Sequence, residues 1–436
     1  MSLREGAIPL RIVVLGAGPI GLEAALYGAE LGHEVLVIER GEVAAAVRSW
    51  GHVEMFSPWS MNVSSLGRRR LRAAGHRVPG EAAEAAASPT GAEYAQRYLL
   101  PLSQDALLCG RIRPHTQVVA VGKSGLRKGD LIGKAARGSY PFRLLVEDKT
   151  GEQLEYADVV LDCTGTYGSP NAIGAGGIPA AGERWLEERL IRHVPDVLGR
   201  DRARFARRRV LLVGGGLSAA TTVVALADLC AAEPTTQVVW SVRHELAQPY
   251  RTIENDTLPV RALLHRAANR LAASARETSG ALSYRPATSV DSISAEGHRL
   301  RVRLLHDGGT FTEELFDEVV GLTGYGPERR IYRELQVHEC YASLGPMNLA
   351  ASLLGKSGDC LAQPAPGPET LLNPEPRFFI LGAKSYGRNS AFLIQLGLLQ
   401  IRSAYALLHK DPGLDLYATD AADAVAAAPP SAAARL

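Results

Sequence analysis

The stretch R-I-V-V-L-G-A-G-P-I-G-L-E-A-A, residues 11–25, decides the fold of this chain. Its run of apolar residues predicts a buried strand, and the glycines that follow predict a tight turn opening into a helix. A second apolar strand pattern, E-V-L-V-I-E-R, occupies residues 34–40. The order of strand, helix and strand predicts a βαβ unit with two parallel strands.

The glycine spacing in this unit is typical of a dinucleotide-binding turn. Gly16 allows the tight turn, Gly18 lets the backbone approach a pyrophosphate at the helix N-terminus, and Gly21 lets helix and strand pack closely. An acid ends the second strand at Glu39, 39 − 21 = 18 positions after the last glycine, where it can accept hydrogen bonds from a ribose hydroxyl. We predict that the first dinucleotide contacts Gly16, Gly18, Pro19, Ile20, Gly21, Glu39 and Arg40.

The chain repeats this pattern at R-R-V-L-L-V-G-G-G-L-S-A-A, residues 208–220, as a G-x-G-x-x-A variant. Here the following strand, T-Q-V-V-W-S-V-R-H, ends in Arg243 and not in an acid. An arginine attracts a ribose 2′-phosphate, which an acid would repel, so this second site is predicted to prefer NADPH over NADH. The predicted contacts are Gly214, Gly216, Leu217, Ser218, Ala219 and Arg243.

Two further strands end in the dipeptide Thr-Gly, each downstream of its own glycine turn. They are Y-A-D-V-V-L-D-C-T-G (156–165) and F-D-E-V-V-G-L-T-G-Y-G-P (316–327). A glycine at the carboxyl end of a strand permits close approach to a nucleotide. A third such segment, R-F-F-I-L-G-A-K-S-Y-G-R (377–388), reads as a strand, a glycine turn and the start of a long amphipathic helix. Candidate cofactor contacts in these segments and in the strand pattern 116–123 are Val119, Cys163, Thr164, Gly165, Gly324, Tyr325, Gly382, Lys384, Gly387 and Arg388.

Composition sets the limits of these interpretations. The chain has 436 residues, 46% hydrophobic and 22% charged, which is enough for two cores. With a net charge of only +2 and no strongly basic domain, the arginine clusters at 68–72 and 200–209 indicate solvated surface or cofactor phosphate contacts and not a nucleic-acid surface. No apolar run is long enough to span a bilayer, and the early first strand leaves no room for a cleaved signal, so we expect a cytoplasmic protein.

The cysteine and histidine patterns predict no metal site. The five cysteines lie far apart without a C-x-x-C pair, and no H-E-x-x-H is present. The duplicated glycine turns, each between a strand and a helix, predict an α/β fold of two Rossmann-like domains. We also expect a flexible tail (421–436).

In this order of motifs the chain resembles the two-dinucleotide-domain flavoproteins. These are the flavin-containing and N-hydroxylating monooxygenases and, more distantly, the pyridine-nucleotide-disulfide reductases. The resemblance implies a discontinuous FAD-binding domain (1–175 and 309–420), which contains the first βαβ unit and the terminal segment. It also implies an inserted NADPH-binding domain (176–308), which contains the second unit. The chain lacks the paired redox cysteines of the disulfide reductases, and its G-A-K-S-Y-G-R-N lacks their terminal G-D. Its linker 177–196 also lacks the fingerprint of the flavin-containing monooxygenases.

The stretch R-S-W-G-H-V-E-M-F-S-P-W-S-M-N-V-S, residues 48–64, follows the first unit where the resembling monooxygenases run a loop along the flavin. The resemblance implies flavin contacts for Trp50, Met55 and Trp59. The side chains of Ser57 and Asn62 could hydrogen-bond the flavin or its oxygen adduct, which makes them the catalytic candidates. The alternative is that the aromatic residues of this stretch fill a domain interface.

The implied activity is NADPH-consuming oxygenation of a small molecule by O2 through a flavin C4a-(hydro)peroxide. The alternatives are an NADPH-dependent reductase or dehydrogenase of the same fold, and a flavoprotein that serves as an interaction or sensor module. A hydrolase is a further alternative, because Gly216-Leu217-Ser218-Ala219-Ala220 partly matches the G-x-S-x-G elbow but lacks its last glycine. We expect neither nucleic acid nor membrane as a partner, and a homo-oligomer is left open.

Overall fold

The computed structural model of the chain divides into two compact units. The first comprises Met1–Arg48, Ser57–Gly168 and Gly326–Leu436, and the second comprises Ser49–Phe56 and Ser169–Tyr325. The predicted flexible tail, 421–436, lies outside the described residues. The structure describes residues 9–81, 84–246, 248–277, 280–356, 359–363 and 367–418.

The strands alternate with helices in both units. In chain order the strands are β1 (Arg11–Leu15), β2 (Glu34–Ile38), β3 (Ile112–Arg113), β4 (Gln117–Lys123), β5 (Phe142–Asp148), β6 (Gly151–Ala157), β7 (Val159–Asp162), β8 (Leu190–Ile191), β9 (Arg209–Val213), β10 (Gln237–Ser241), β11 (Leu282–Arg285), β12 (Ser289–Glu296), β13 (Arg299–Leu305), β14 (Phe311–Phe316), β15 (Glu318–Gly321) and β16 (Phe378–Ile380). The α-helices of the described part are α1 (Pro19–Glu30), α2 (Ala45–Ser49), α3 (Trp59–Asn62), α4 (Ser65–Ala73), α5 (Gly91–Tyr94), α6 (Leu100–Ser103), α7 (Arg202–Phe205), α8 (Leu217–Ala232), α9 (Pro259–Glu277), α10 (Met347–Leu353) and α11 (Ile394–His409).

Each unit is built on a five-stranded parallel sheet. The strand order is β16-β7-β1-β2-β3 in the first unit and β11-β10-β9-β15-β8 in the second. In each sheet the strand that leads into a glycine turn, β1 or β9, lies at the centre, and residues 12–15 and 210–213 are buried. A parallel sheet covered on both faces needs such near-continuous apolar strands. The structure thus confirms the predicted α/β fold with two Rossmann-like units.

Each unit also carries a three-stranded antiparallel sheet, β4-β5-β6 in the first and β12-β13-β14 in the second. The long connection 124–141 between β4 and β5 is held by a buried ion pair. Arg137 has no exposed surface and bonds Glu375 at 2.9 Å, while its Nη1 donates to the carbonyls of Arg127 and Asp130. This connection is therefore tied to the protein at a buried point, although its glycine- and lysine-rich sequence reads as a simple exposed hairpin loop.

The arginine side chains of the cluster on α4 bond other residues of the first unit. Arg70 bonds Asp105 at 2.9 Å, Arg72 bonds Glu81 at 2.7 Å, and Arg69 donates to the carbonyl of Leu416. These contacts give the cluster structural partners.

No helix in the described part of the chain combines the length and apolar character that a membrane span requires.

A pair of histidines joins the turn before β2 to the end of α11. The Nε2 atoms of His33 and His409 are 2.9 Å apart, and Nδ1 of His33 accepts a hydrogen bond from the backbone N–H of Leu10. His33 is 3% exposed. Burial, followed by the nearby His409, lowers the pKa of His33 to about 4.

The free energy of unfolding should therefore fall as the solution is acidified. The unfolded chain takes up a proton at His33 below its ordinary pKa of about 6.5, whereas the folded protein resists this down to about pH 4. Between about pH 7 and pH 5, His33 should account for a loss of about 2 kcal/mol, present in the wild type and absent in His33→Gln. Urea unfolding at both pH values measures it. His298→Gln, at an exposed histidine, is the matched control, and an equal pH dependence of all three proteins would contradict the assignment.

Candidate functional sites

The first glycine turn joins β1 to α1 and accepts no side chain at two of its three glycines. Gly16 has a φ of 96°, and a Cβ atom there would lie 2.8 Å from the carbonyl oxygen of Cys163 on the neighbouring strand. A Cβ atom at Gly21 would lie 1.9 Å from the carbonyl oxygen of Gly16. The turn is thus pressed between its own helix and the end of β7.

The third glycine of this turn faces open space. Gly18 is the N-cap of α1, has no side-chain cap, and a Cβ atom there would meet nothing within 4 Å. Pro19 occupies the first helical position, and Ile20 packs under the turn, with its Cγ1 3.1 Å from where a Cβ of Gly382 would be. A helix N-terminus with free backbone N–H groups and open space before it suits an anionic group such as a pyrophosphate.

The predicted acid lies at the mouth of this turn. The Glu39 carboxylate accepts hydrogen bonds from the backbone N–H of Ala17 at 2.7 Å and of Gly41 at 2.8 Å. The exposed Arg40 places its guanidinium 3.1 Å from where a Cβ of Gly168 would lie. Val119, also exposed, lies on β4, shortly after the segment whose Thr116 N–H bonds the Glu39 carbonyl. The carboxylate is thus in place to accept hydrogen bonds from a ribose near the open helix end.

The strand β7 ends in a buried charge network that the sequence reading missed. Lys384 donates to Asp162 at 2.6 Å and to the Thr164 hydroxyl at 2.9 Å, and the side chains of Lys384 and Asp162 have no exposed surface. The Thr164 hydroxyl donates in turn to Asp162 at 2.7 Å. Gly165 has a φ of 66° and open space at its Cβ position. The network joins two predicted cofactor segments, 163–165 and 382–388, within the first unit.

The terminal turn 382–388 is fixed from the other side by α11. The Gln400 side chain accepts from the Gly382 N–H at 2.8 Å and donates to the Ser385 hydroxyl at 2.9 Å. Gly387 has a φ of 61°, and the Arg388 N–H donates to the carbonyl of Ser343 at 2.7 Å. The Tyr386 side chain is 2% exposed, and its hydroxyl has no hydrogen-bond partner among the described residues.

The second glycine turn repeats the first inside the second unit. Gly214 has a φ of 143°, and a Cβ atom there would lie 2.3 Å from the carbonyl oxygen of Leu322, the residue before the second Thr-Gly. Gly216, the N-cap of α8, has no neighbour within 4 Å of its Cβ position. Leu217, Ser218 and Ala219 form the first turn of α8.

Arg243 follows β10 at the same edge of the sheet. It is exposed, and its side chain forms no ion pair within the described ranges. Gly324 has a φ of 84°, and Tyr325 donates to the carbonyl of Arg192 at 2.5 Å. The second glycine turn, the exposed Arg243 and the second Thr-Gly thus all follow the carboxyl ends of neighbouring strands, β9, β10 and β15.

The stretch 48–64 is divided between the two units. Trp50 and Met55 belong to the second unit, whereas Ser57, Trp59 and Asn62 belong to the first. Ser57 donates to the Asn62 side-chain oxygen at 2.8 Å, and the Asn62 amide donates to the carbonyls of Ser57 and Pro58. Trp59 is 2% exposed and packs on Tyr94 and under Arg97. In this structure the two catalytic candidates bond each other.

The cysteine thiols differ in burial and in pKa. All five are free thiols. Cys163, at the end of β7, is buried, and burial raises the pKa of its thiol well above the usual range. Hydrogen bonds from Ser343 lower the pKa of the Cys340 thiol, and this residue belongs to the loop that contacts Arg388. Thiolate chemistry is thus disfavoured at Cys163 and favoured at Cys340.

Comparison with known proteins places this geometry in a known fold. A family model described as pyridine nucleotide-disulphide oxidoreductase matches residues 2–50. Curated protein sequences give no significant match. The bacillithiol disulfide reductase of Bacillus cereus has a similar structure, with a TM-score of 0.63 and 17% identity over 93% of this chain and 100% of that one.

A structure of the ornithine N-hydroxylase of Kutzneria sp. 744, which contains reduced FAD, NADP⁺ and L-ornithine, has a TM-score of 0.58. It shares 15% identity over 92% of this chain and 99% of that one. The thioredoxin reductase of T. acidophilum has a TM-score of 0.57 and shares 16% identity over 92% of this chain and 99% of that one. The chain therefore has the two-domain fold of FAD/NAD(P)-binding oxidoreductases, and the resemblance inferred from its motifs is confirmed at the level of the fold.

The first glycine turn should tolerate an added methyl group at one glycine and not at another. Gly21→Ala places a Cβ atom against the Gly16 carbonyl, so the free energy of unfolding should fall by roughly 1–3 kcal/mol. Gly18→Ala adds a methyl group in open space and should change it by less than about 0.5 kcal/mol. Chemical unfolding of both variants without cofactor measures this. Equal losses would show that the close approach at Gly21 does not constrain the turn.

Proposed function

We propose that this protein is an FAD-dependent, NADPH-consuming monooxygenase that oxygenates a small-molecule substrate. The observation that carries the proposal is the pairing of two glycine turns of opposite electrostatic character. Glu39 lies at the first, and the free Arg243 follows the strand beside the second. A protein that holds both a flavin and a reduced nicotinamide nucleotide has a use for two such turns at once.

The residues of the first unit fit FAD. The open N-terminus of α1 would bind the pyrophosphate. Each Glu39 carboxylate oxygen accepts one backbone bond, from Ala17 or Gly41, and would have a further lone pair to accept a bond from a ribose hydroxyl. The Asp162–Lys384 pair would hold segments 163–165 and 382–388 in place beside the flavin. Bound FAD would supply hydride acceptance and the activation of O2.

The residues of the second unit fit NADPH. The open N-terminus of α8 at Gly216 would take the pyrophosphate, and Arg243 would bind the 2′-phosphate of the adenosine ribose. The proposed role of the protein is to hold the hydride donor and to exclude water. The two electrons of NADPH would then reduce O2, with one oxygen atom going to the substrate and the other leaving as water, and no hydrogen peroxide would be released. Ser57 and Asn62 remain the proposed polar contacts near the flavin. The Ser57 hydroxyl could accept a hydrogen bond while it donates to Asn62, but it would have to leave Asn62 in order to donate to another group.

A second candidate function is an NADPH-dependent reductase of the same fold, because solved disulfide reductases have similar structures. The sequence contains no C-x-x-C pair, and the thiol beside the first glycine turn, Cys163, is buried with a raised pKa. Both facts count against a thiol relay there. Cys340 is the cysteine we propose for such a reductase, because its loop contacts the terminal turn through Ser343 and Arg388 and because hydrogen bonds from Ser343 lower the pKa of its thiol.

Reduction by NADPH followed by exposure to air separates the two functions. The purified protein should bind FAD, NADPH should reduce it without air, and O2 should then give a species distinct in absorbance from oxidised and reduced flavin. Immediate reoxidation, with loss of disulfide reduction in Cys340→Ser, would favour the reductase. Failure to bind FAD would refute both functions. Cys109→Ser, at an exposed cysteine, is the matched control.

Arg243 should set the preference for NADPH. Arg243→Ala removes a charge-assisted hydrogen bond to a phosphate, worth about 1.5–3 kcal/mol, so the KM for NADPH should rise roughly 10- to 100-fold. The KM for NADH should stay within about 2-fold, since NADH lacks that phosphate. Steady-state kinetics with both nucleotides measure this. Arg208→Ala is the control, because this exposed arginine precedes β9 at the opposite edge of the same sheet. Parallel changes for both nucleotides would remove Arg243 from the phosphate site.

A further inference from the structure

Two aromatic side chains donate hydrogen bonds to carbonyl groups of the second glycine turn. The indole N–H of Trp240, on β10, donates to the carbonyl of Gly214 at 2.9 Å. The hydroxyl of Tyr250 donates to the carbonyl of Gly216 at 3.1 Å. Trp240 is fully buried and Tyr250 is 5% exposed. Both carbonyls are therefore bonded from the protein side of the turn.

Helix α9 holds Tyr250 in this position. The Asn269 side chain accepts from the Tyr250 N–H at 3.0 Å and donates to its carbonyl at 2.8 Å. The Tyr250 ring stacks between Trp240, with ring centroids 6.3 Å apart, and His265, 5.5 Å apart. The hydroxyl is thus aimed by two backbone bonds and two ring contacts.

The first glycine turn has no matching donor on its second strand. Val14 and Leu212 each lie two residues before the first glycine of their turns, and they pair with Val37 and Trp240 in the neighbouring strands. Valine has no side-chain donor, so the indole bond is a feature of the second turn. The two sites therefore differ at this position, which is Val37 in the first unit and Trp240 in the second, although their first two glycines have the same spacing.

Fixing a carbonyl fixes the peptide group that contains it. A carbonyl that turned toward a pyrophosphate would repel it, whereas the opposite orientation presents backbone N–H groups to the anion. A Cβ atom at Gly216 would meet nothing within 4 Å, so open space adjoins the turn at this position. The Gly216 carbonyl also accepts the helix bond from the Ala220 N–H at 3.1 Å, so Tyr250 adds a second donor there, while Trp240 donates to the Gly214 carbonyl.

We propose that Trp240 and Tyr250 are positioning residues that preorganise the second glycine turn for the pyrophosphate of a nicotinamide dinucleotide. This inference rests on the proposed function of the second unit. Neither side chain needs to touch the nucleotide. They act through the Gly214 and Gly216 carbonyls, so they should govern affinity and leave the rate of the chemical step unaffected.

The test is the dissociation constant of NADP⁺ for the full-length, FAD-loaded protein, measured by calorimetry. Tyr250→Phe removes one hydrogen bond to a neutral carbonyl and should raise this constant about 5-fold. The limiting rate of flavin reduction at saturating NADPH should stay within about 2-fold of wild type, since only binding depends on the turn. Trp240→Phe makes the same test at Gly214, so a folding failure of one variant leaves the other.

Tyr284→Phe is the matched control. Tyr284 packs on the same indole, with ring centroids 4.8 Å apart and 5% exposure, but its hydroxyl makes no bond to the turn. Its NADP⁺ affinity should equal that of wild type. Unchanged affinity in both Tyr250→Phe and Trp240→Phe, with a wild type that binds NADP⁺, would overturn this inference alone. A wild type that binds neither NADP⁺ nor NAD⁺ would overturn the proposed function with it.

Discussion

The close approach of each glycine turn to the end of a neighbouring strand is the constraint on which both sites depend. Gly16 packs against the carbonyl of Cys163, and Gly214 packs against that of Leu322. In both cases the contacted residue directly precedes a Thr-Gly dipeptide. A side chain at either glycine would push the turn off the strand and move the helix N-terminus with it. The two units therefore share their fold and also this contact between a glycine turn and the end of a neighbouring strand.

The two units differ in how they stabilise this shared geometry. In the first, a buried ion pair between Asp162 and Lys384 ties the Thr-Gly segment to the terminal turn. In the second, neutral aromatic donors bond the glycine carbonyls directly. Removing one partner of a buried ion pair leaves an uncompensated charge, whereas losing a neutral donor costs a single hydrogen bond. The first arrangement is thus the more sensitive to substitution.

Local sequence patterns predict the elements whose geometry is itself local. The glycine spacing at 16–21, the apolar strands and the two Thr-Gly ends each predicted the element that the structure contains. No local pattern indicated the roles of Asp162, Trp240 and Tyr250, because their partners lie 222, 26 and 34 residues away in the chain. A buried aspartate in an apolar strand was the available signal for the first, since a buried charge requires a partner. No comparable signal marked Tyr250, which lies in an irregular segment.

The sequence by itself determined the fold class, the duplication and the charge that follows each second strand, Glu39 in one unit and Arg243 in the other. These follow from periodicity and spacing, which act over a few residues. Only the tertiary structure decided that Ser57 and Asn62 bond each other, that Trp50 and Trp59 belong to different units, and which side chains fix the turns. Hydrogen bonds between distant segments depend on how the chain brings those segments together, and no local pattern encodes that.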